Sequence, residues 1–228
     1  MYSIDRTMED LTGFAALIPL RGGSKGIRKK NLCMLNQAPL YHYVTSASIE
    51  AKLKTFISTE DPEIKENCKN NFRSVNIVDR PMALAQDHSS TEDVIKHFIE
   101  IEPSTKHIVL LQATSPLTKS KDITMAIKKY KQHSYIPLIS VVHEHSFLWN
   151  EEGEPINYDP FKRPRRQDWK GNFRENGAIY IFSKEHFKQH KSRGALKCTL
   201  FQMQKSTLYE IDDLEDLAIV SSIQEKQS

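Results

Sequence analysis

The chain has 228 residues, of which 39% are hydrophobic and 27% are charged, with 8 Gly and 10 Pro. This composition is typical of a globular protein and excludes collagen-like, disordered and membrane-embedded chains. The formal net charge of +3 is small and spread along the chain, so no nucleic-acid partner is expected.

We expect a single domain over residues 1–228. A chain of this length buries about 70% of the surface that its unfolded form exposes, so it folds without disulfides or a structural metal. The cysteines, Cys33, Cys68 and Cys198, are widely spaced and fit a reducing cytoplasm. Residues 1–10 are polar, and the longest apolar runs are too short to span a bilayer, so we expect no export or membrane signal.

Short apolar runs of strand length alternate with helical patterns, which predicts an α/β fold. The runs cover residues 14–20, 55–58, 75–78, 108–111, 138–142 and 178–182. Because strands joined by crossover helices pair in parallel, we expect a mostly parallel sheet that is flanked by helices.

Four helices are predicted from apolar periodicity and capping residues. One follows Pro39, one is capped by Ser90, one surrounds Ile127, and the last is capped by Asp213. Their predicted inward residues, in chain order, are Leu40, Tyr43, Val44 and Ala47; Val94, Phe98 and Ile101; Ile123, Ala126, Ile127 and Tyr130; and Leu214, Leu217 and Ala218.

The α/β pattern breaks over residues 143–175, where Gly, Pro and charged residues interrupt two possible short strands. A long insertion in a compact domain usually has a function, as a lid, a binding loop or a dimerisation arm. His143 and His145 lie here, but no third ligand stands at a spacing typical of a metal site. We therefore assign the two histidines no catalytic role.

A glycine-rich basic loop follows the first predicted strand, and residues 21–31 read RGGSKGIRKKN. Ligands of parallel sheets bind at the carboxyl ends of strands, where this loop lies. Paired glycines let backbone N–H groups converge on an anion, while Arg21, Lys25 and Lys30 supply positive charge. The spacing fits neither a Walker A motif nor G-x-G-x-x-G. By itself the loop could be a phosphate cradle or a solvated turn.

Five short blocks follow one another along the chain. They are RGGSKG with Lys30-Asn31, Arg80-Pro81 with Leu84-Ala85 and Asp87, LLQATSPL at 110–117, Arg174 with NGAIY at 176–180, and Glu210-Ile211-Asp212. Together, over about residues 14–220, they resemble the CMP-N-acylneuraminate synthetases, cytidylyltransferases that activate nine-carbon sialic-type acids. The resemblance implies a Rossmann-like nucleotidyltransferase fold and a homodimer with an inserted dimerisation arm. The implied reaction transfers CMP from CTP to the anomeric 2-hydroxyl of a 3-deoxy-2-ulosonic acid and releases pyrophosphate.

The resemblance also implies which residues bind the nucleotide. The phosphates would be held by the loop residues Arg21, Gly22, Gly23, Ser24 and Lys25, together with Lys30. Arg21, Lys25 and Asp212 would be the catalytic residues. Asn31 and Arg80 would contact the cytosine or its ribose, although Asn31 could equally cap a helix and Arg80 could be a surface cation.

The implied contacts to the acid sugar come from Gln112, Arg166, Arg174, Asn176 and Tyr180. A guanidinium binds a carboxylate through two hydrogen bonds, and every ulosonic acid carries a carboxylate. Arg166 lies in the 143–175 insertion, where it could serve the partner's site or form a solvated hairpin edge with Arg163 and Arg165.

Glu210 and Asp212 stand two residues apart, so on an extended segment both carboxylates point to one side. Mg²⁺ takes one or two carboxylates together with substrate phosphates, and the resemblance implies Mg²⁺ here. The family usually has Asp at both positions, so Glu210 leaves direct or water-mediated binding open. Without the resemblance, the acidic residues would be read as a helix N-terminus favoured by the helix dipole.

Three alternatives remain open: a cytidylyltransferase for the eight-carbon acid KDO, a nucleotidyltransferase for hexose 1-phosphates, and a non-catalytic sugar-nucleotide sensor. Hexose phosphates carry no carboxylate, so Arg174 argues against them. Intact Arg21, Lys25 and Asp212 argue against a sensor. The sequence does not specify which ulosonic acid is used.

Overall fold

Seven strands form one sheet in the computed structural model, which describes residues 10–226. In chain order the strands are β1 (Phe14–Pro19), β2 (Met34–Leu35), β3 (Ala38–Pro39), β4 (Lys54–Thr59), β5 (Asn76–Asp79), β6 (His107–Leu111), β7 (Leu138–Glu144), β8 (Asn172–Ser183) and β9 (Thr199–Gln202), of which β2 and β3 pair separately. The helices are α1 (Leu40–Glu50), α2 (Pro62–Asn71), α3 (Thr91–Ile101), α4 (Ser120–Gln132), α5 (Lys184–His190) and α6 (Leu214–Glu225). Residues 1–9, which are most of the N-terminal segment in which we expect no export signal, lie outside the described residues.

The strand order is β5-β4-β1-β6-β8-β7-β9. All neighbouring pairs are parallel except those of β8, which is antiparallel to both β6 and β7. No α-helix lies between β7 and β8 in this described part of the chain, and β8 returns beside β7 in the opposite direction. The predicted α/β class and mostly parallel sheet are confirmed, and β8 is the exception.

Helices cover both faces of the sheet. Along β1, Ala16 and Ile18 pack into a cluster with α1 and α4, whereas Ala15 and Leu17 pack into a second cluster with α3. These β1 residues are 0–1% exposed. A strand that is buried on both faces loses the alternation of apolar and polar residues, which explains the continuous apolar run in the sequence.

Two helices differ from the predicted inward faces. In α3 the face runs through Val94 with Phe98 and Ile95 with Ile99, while Ile101, the last residue of the helix, is 56% exposed. In α6 the face runs through Leu217, Val220 and Ile223. Leu214 in the first turn is 68% exposed, and Ala218 is rotated away from this face and exposed. All four predicted residues of α4 are buried.

The predicted insertion at 143–175 is shorter in the structure. His143 and Glu144 end β7, and β8 already begins at Asn172, so the segment without regular strands or α-helix is 145–171. We call residues 145–171 the arm. Of the two possible short strands, this part of the described chain forms an isolated bridge between Trp149 and Pro155. Phe147 orders the arm by packing 4.4 Å from Trp169 and 4.2 Å from Tyr158, measured between ring centroids.

Between residues 10 and 226, no helix has the length and apolar character needed to cross a membrane.

Candidate active site

A cavity of about 330 Å³ opens at the carboxyl edge of the sheet. It is bounded by the segments that follow β1, β5 and β6, together with the start of α3. Six of the predicted site residues line it: Arg21, Ser24, Lys30, Asn31, Arg80 and Gln112. Residues far apart in sequence thus meet where a parallel α/β sheet binds its ligands.

The glycine loop presents unpaired backbone donors. The N–H groups of Gly23, Ser24 and Lys25 donate no hydrogen bond to any described residue. Gly22, which the resemblance places among the phosphate-binding residues, differs from these three. Its N–H donates to Glu60 Oε1 at 2.7 Å and is not available to an anion. The cradle therefore begins one residue later than the pattern of paired glycines predicts.

Two loop cations converge on one carboxylate at the mouth of the cavity. Arg21 Nη1 lies 3.0 Å from Asp87 Oδ1, and Lys25 Nζ lies 3.2 Å from Asp87 Oδ2. The hydrogen bond from Lys25, its charge and the Arg21 guanidinium lower the pKa of Asp87. The three side chains are 33%, 76% and 59% exposed, respectively. Because exposed ion pairs are weak, a polyanion can replace Asp87 at little cost.

Arg80 is a buried part of the site and not a surface cation. Its Nε donates to Ser58 Oγ at 3.3 Å and its Nη2 to the Ser58 carbonyl at 2.5 Å. Burial lowers the pKa of Arg80, the negative charge of Glu60 opposes that shift, and the positive charge of Arg21 adds to it. The guanidinium is thereby held in one orientation at the cavity wall.

Two amide side chains offer unused polar atoms to the cavity. Asn31 donates Nδ2 to the Arg21 carbonyl at 2.8 Å, while its Oδ1 accepts nothing from the described residues. Asn31 lies inside a 3-10 turn, so it does not cap that turn. Gln112 follows β6, and its side chain has no hydrogen-bond partner within residues 10–226. The two amides can read a polar ligand edge.

The segment of Glu210 and Asp212 is tied to the rim of the cavity. The Ile211 N–H donates to the Thr114 carbonyl at 2.8 Å. Lys30 Nζ donates to the Ile211 carbonyl at 3.0 Å and to Asp212 Oδ1 at 2.8 Å. A Cβ at Gly26 would lie 2.1 Å from the Asp212 carbonyl oxygen, so only glycine allows the loop this close.

The pair of carboxylates fits a hard cation. Burial and the negative charge of Asp212 raise the pKa of Glu210, whereas Arg174 lowers it. A Cβ at Gly177 would lie 2.2 Å from Glu210 Oε2, so the glycine makes room for this carboxylate. No group of three or more His, Cys, Asp or Glu side chains among the described residues could hold a metal. Two carboxylate donors suit Mg²⁺, which takes its other ligands from phosphates and water.

Asp213 has a different role from its neighbour. Its Oδ1 accepts from the N–H groups of Glu215 at 2.9 Å and Asp216 at 3.0 Å, and it caps α6 as predicted.

The predicted acid-sugar residues do not all come together. Arg174 is exposed on β8, where it lies 4.0 Å from Glu144, and its positive charge lowers the pKa of Glu210. Arg166 is exposed in the arm and lies outside the cavity lining.

Asn176 and Tyr180 have structural partners instead. Asn176 is fully buried, accepts from Ser140 Oγ at 2.6 Å and donates to Thr207 Oγ1 at 2.9 Å. Tyr180 is 6% exposed and donates its hydroxyl to Glu175 at 2.5 Å. Neither residue lines the cavity. Asn176 therefore joins β7 and β8 to the segment before Glu210, because both ends of its amide are already used.

Sequence reasoning missed two charged residues of the site. Asp87 was noted only as part of a resembling block, and Glu60 was not noted at all. Glu60 comes directly after β4, the same place that the glycine loop occupies after β1. Polar residues just after a parallel strand are therefore a signal that could have found it.

A family model and curated relatives match most of this chain. A family model described as Cytidylyltransferase matches residues 15–227. The chain is 35% identical over 207 residues to N-acylneuraminate cytidylyltransferase A of Danio rerio, covering 87% of this chain and 47% of that protein. It is 32% identical over 210 residues to N-acylneuraminate cytidylyltransferase of Streptococcus agalactiae serotype V, covering 88% and 50%. The chain thus spans about half the length of these curated relatives.

The fold has solved counterparts. The structure of CMP:2-keto-3-deoxy-manno-octonic acid synthetase complexed with CTP superposes with a TM-score of 0.69 at 13% identity, covering 94% of this chain and 99% of that one. This likeness shows the Rossmann-like nucleotidyltransferase fold. Since the family model spans nearly every described residue of the sheet and the cavity, the chain belongs to the cytidylyltransferase family.

Proposed function

We propose that this chain transfers CMP from CTP to the anomeric 2-hydroxyl of a nine-carbon, sialic-type 3-deoxy-2-ulosonic acid and releases pyrophosphate. One observation carries the proposal: Arg21, Ser24, Lys30, Asn31 and Gln112 line one cavity. Lys25 is joined to this cavity through its ion pair with the lining residue Asp87, and Asp212 through its hydrogen bond from the lining residue Lys30. The names of the curated relatives support the choice of acceptor.

The loop residues would bind the triphosphate. The free N–H groups of Gly23, Ser24 and Lys25 would donate to phosphate oxygens, and Arg21 and Lys25 would exchange Asp87 for phosphate. The unused Oδ1 of Asn31 suits the exocyclic amine of cytosine, which is a donor that uracil lacks. Charge neutralisation and positioning are the main contributions of a protein to phosphoryl transfer.

Asp212 and Glu210 would hold Mg²⁺. When bound, this ion neutralises charge on the phosphates that it contacts. Lys30 already orients Asp212 through the 2.8 Å hydrogen bond and can stay between that carboxylate and the leaving pyrophosphate. Arg174, exposed beside Glu210, would bind the carboxylate of the acid sugar.

Pyrophosphate release tests the proposal directly. Purified protein would be incubated with Mg²⁺, each of CTP, UTP, ATP and GTP, and a panel of eight- and nine-carbon ulosonic acids and hexose 1-phosphates. We expect release with CTP and a nine-carbon acid. Release with KDO alone would support a cytidylyltransferase for the eight-carbon acid. Release with hexose 1-phosphates would support a nucleotidyltransferase for those sugars, and CTP binding without any release would support a non-catalytic sensor.

Replacement of Arg174 by lysine tests its assignment to the acid sugar. We expect Arg174→Lys to raise the KM for the acid about tenfold and to leave the KM for CTP unchanged, because one ammonium cannot reproduce the paired hydrogen bonds of a guanidinium. Arg73→Lys, at an exposed position before β5, is the matched control. A change confined to the KM for CTP would move Arg174 to the nucleotide.

We also propose a homodimer in which the arm reaches the neighbouring subunit, and a cytoplasmic location. Support for the dimer comes from large apolar side chains that the arm leaves exposed, among them Trp149 at 52% and Phe161 at 96%. Support for the location comes from Cys33, Cys68 and Cys198, all present as free thiols.

A further inference from the structure

Glu60 is a buried carboxylate behind the cavity that has no part in the mechanism above. Its side chain is 8% exposed. Oε1 accepts the Gly22 N–H at 2.7 Å, whereas Oε2 has no hydrogen-bond partner among the described residues and lies 3.9 Å from Arg80 Nη1. Burying an ionised carboxylate is costly unless nearby groups offset it. An incompletely paired carboxylate at this place therefore calls for a reason.

The two contacts of Glu60 lead to different parts of the site. Gly22 begins the segment whose next three N–H groups are free for phosphate. Arg80 lines the cavity and is almost fully buried, with a side chain that is 4% exposed. The positive charge of Arg21 also acts on Arg80 and lowers its pKa. Glu60 is thus the negative charge nearest the buried Arg80 guanidinium, and it offsets the repulsion between Arg80 and Arg21.

We propose that Glu60 is a positioning residue for the nucleotide: it anchors the glycine loop at Gly22 and holds Arg80 against the cavity, so that both are in place before CTP binds. This inference rests on the proposed function. Glu60 does not line the cavity, so it acts through its two partners. A preformed loop needs no ordering when the ligand arrives, and losing that preorganisation weakens binding.

Two substitutions separate the two contacts. Glu60→Gln keeps the shape and an acceptor for the Gly22 N–H but removes the charge opposite Arg80, whereas Glu60→Ala removes both. We expect Glu60→Gln to raise the Kd for CTP about tenfold and Glu60→Ala about a hundredfold, the range of a charge-assisted hydrogen bond. The KM for the acid sugar should stay within about twofold of wild type, since neither contact reaches Arg174.

Isothermal titration calorimetry of CTP in the presence of Mg²⁺ gives the Kd. Thermal unfolding is measured on the same samples. Glu63→Ala is the matched control, because Glu63 lies three residues further on and pairs with Lys29 away from the cavity. A double-mutant cycle with Arg80→Gln completes the design. If Glu60 acts through Arg80, the effect of Glu60→Gln should largely disappear in the Arg80→Gln background.

Equal Kd values for wild type and both Glu60 variants would overturn the inference, as would fully additive effects in the cycle. A parallel loss of melting temperature and of affinity for both substrates would also overturn it, because that pattern indicates a merely structural role. Failure of the proposed function would be seen in the wild-type protein and not in the comparison of variants. Wild-type protein that binds no CTP would reject both proposals, whereas CTP binding without pyrophosphate release would reject only the reaction.

Discussion

Among single residues, Asp87 has an unusual position because its carboxylate occupies the place between Arg21 and Lys25 that a phosphate would take. Both cations lie within 3.2 Å of it. A side chain that pairs with both of these proposed phosphate-binding cations keeps them oriented toward the cavity, but it also competes with any anionic ligand.

The substitution Asp87→Asn tests this competition. We expect it to increase the affinity for inorganic pyrophosphate about threefold to tenfold, because removing an exposed ion-pair partner leaves two cations uncompensated. Titration calorimetry with pyrophosphate provides the measurement, and the effect should shrink at high salt. Asp79→Asn, which removes the exposed partner of Lys65, is the control. Weaker binding by Asp87→Asn would mean that orienting the cations outweighs competing with the ligand.

Lys25 and Lys29 allow a comparison of two lysines from one loop. Lys25 reaches Asp87 and has a side chain that is 76% exposed, whereas Lys29 pairs with Glu63 outside the cavity. We expect Lys25→Ala to lower kcat/KM about a hundredfold or more with little change in melting temperature, since in the proposed function this exposed lysine stabilises charge on the phosphates and adds little to folding. Lys29→Ala should leave kcat/KM near wild type. Parallel losses of activity and melting temperature in Lys25→Ala would contradict the assignment.

The sequence was informative about residues whose role depends on local chain geometry. Arg21, Ser24 and Lys30 all belong to the segment 21–31 that follows β1, so their place at the cavity could be predicted from the position of this loop. Asn176 could not be assigned in this way, because its role depends on Ser140 and Thr207, which approach it only in the folded sheet. An amide in the same short block can bind a ligand or complete a core, and only tertiary contacts decide.

At the scale of elements, the start of α6 places a helix-capping carboxylate next to a proposed metal ligand. Asp213 caps the helix through two N–H groups, while Asp212 accepts from Lys30 and its negative charge raises the pKa of Glu210. The helix cap fixes the direction of the preceding segment and so keeps Asp212 at the rim of the cavity.

Substitution of these two neighbours should separate stability from metal dependence. We expect Asp212→Asn to raise the Mg²⁺ concentration needed for half-maximal activity about tenfold while changing the free energy of unfolding little, because the side chain is 78% exposed. Asp213→Ala should lower the free energy of unfolding by about 1 kcal/mol, as for loss of a helix cap, with a smaller change in the Mg²⁺ midpoint. Mg²⁺ titrations and denaturant unfolding of both variants provide the data. An unchanged Mg²⁺ midpoint in Asp212→Asn would remove it from the metal site.

Elements were predictable where they bury a long apolar stripe. The four residues of α4 predicted to face inward are buried, whereas α2 was missed because only Ile64 and Cys68 are buried along its length. Its start does carry a signal, since Asp61 caps the helix and Pro62 follows in the first turn. The edge strand β9 has four residues and was too short to stand out. Periodicity needs several apolar positions before it exceeds chance.

For the whole molecule, the arm is the largest departure from a layered α/β architecture. Tyr158 and Trp169 both pack against Phe147, and the Arg163 guanidinium lies 4.3 Å from the centroid of Phe147, so the arm is ordered by its own side chains. Leu148, Trp149, Ile156 and Phe161 nevertheless remain more than 40% exposed. Exposed apolar side chains gathered on one segment are typical of a protein interface.

A mixing experiment tests the arm as a link between active sites. In a two-fold symmetric dimer whose arms cross, Arg166 of each subunit would complete the neighbouring site. Lys25→Ala and Arg166→Ala are then each inactive alone, but a mixed dimer carries one intact site. Equal mixing after dissociation should restore about a quarter of wild-type activity, because half of the dimers are mixed and each has one working site of two.

Arg165→Ala, next to Arg166 and paired with Asp168 within the arm, is the control and should stay active by itself. Sedimentation equilibrium checks that both variants remain dimers. A dimer without restored activity would confine Arg166 to its own subunit, and a monomeric wild-type protein would reject the proposed dimer and with it any contribution from a partner.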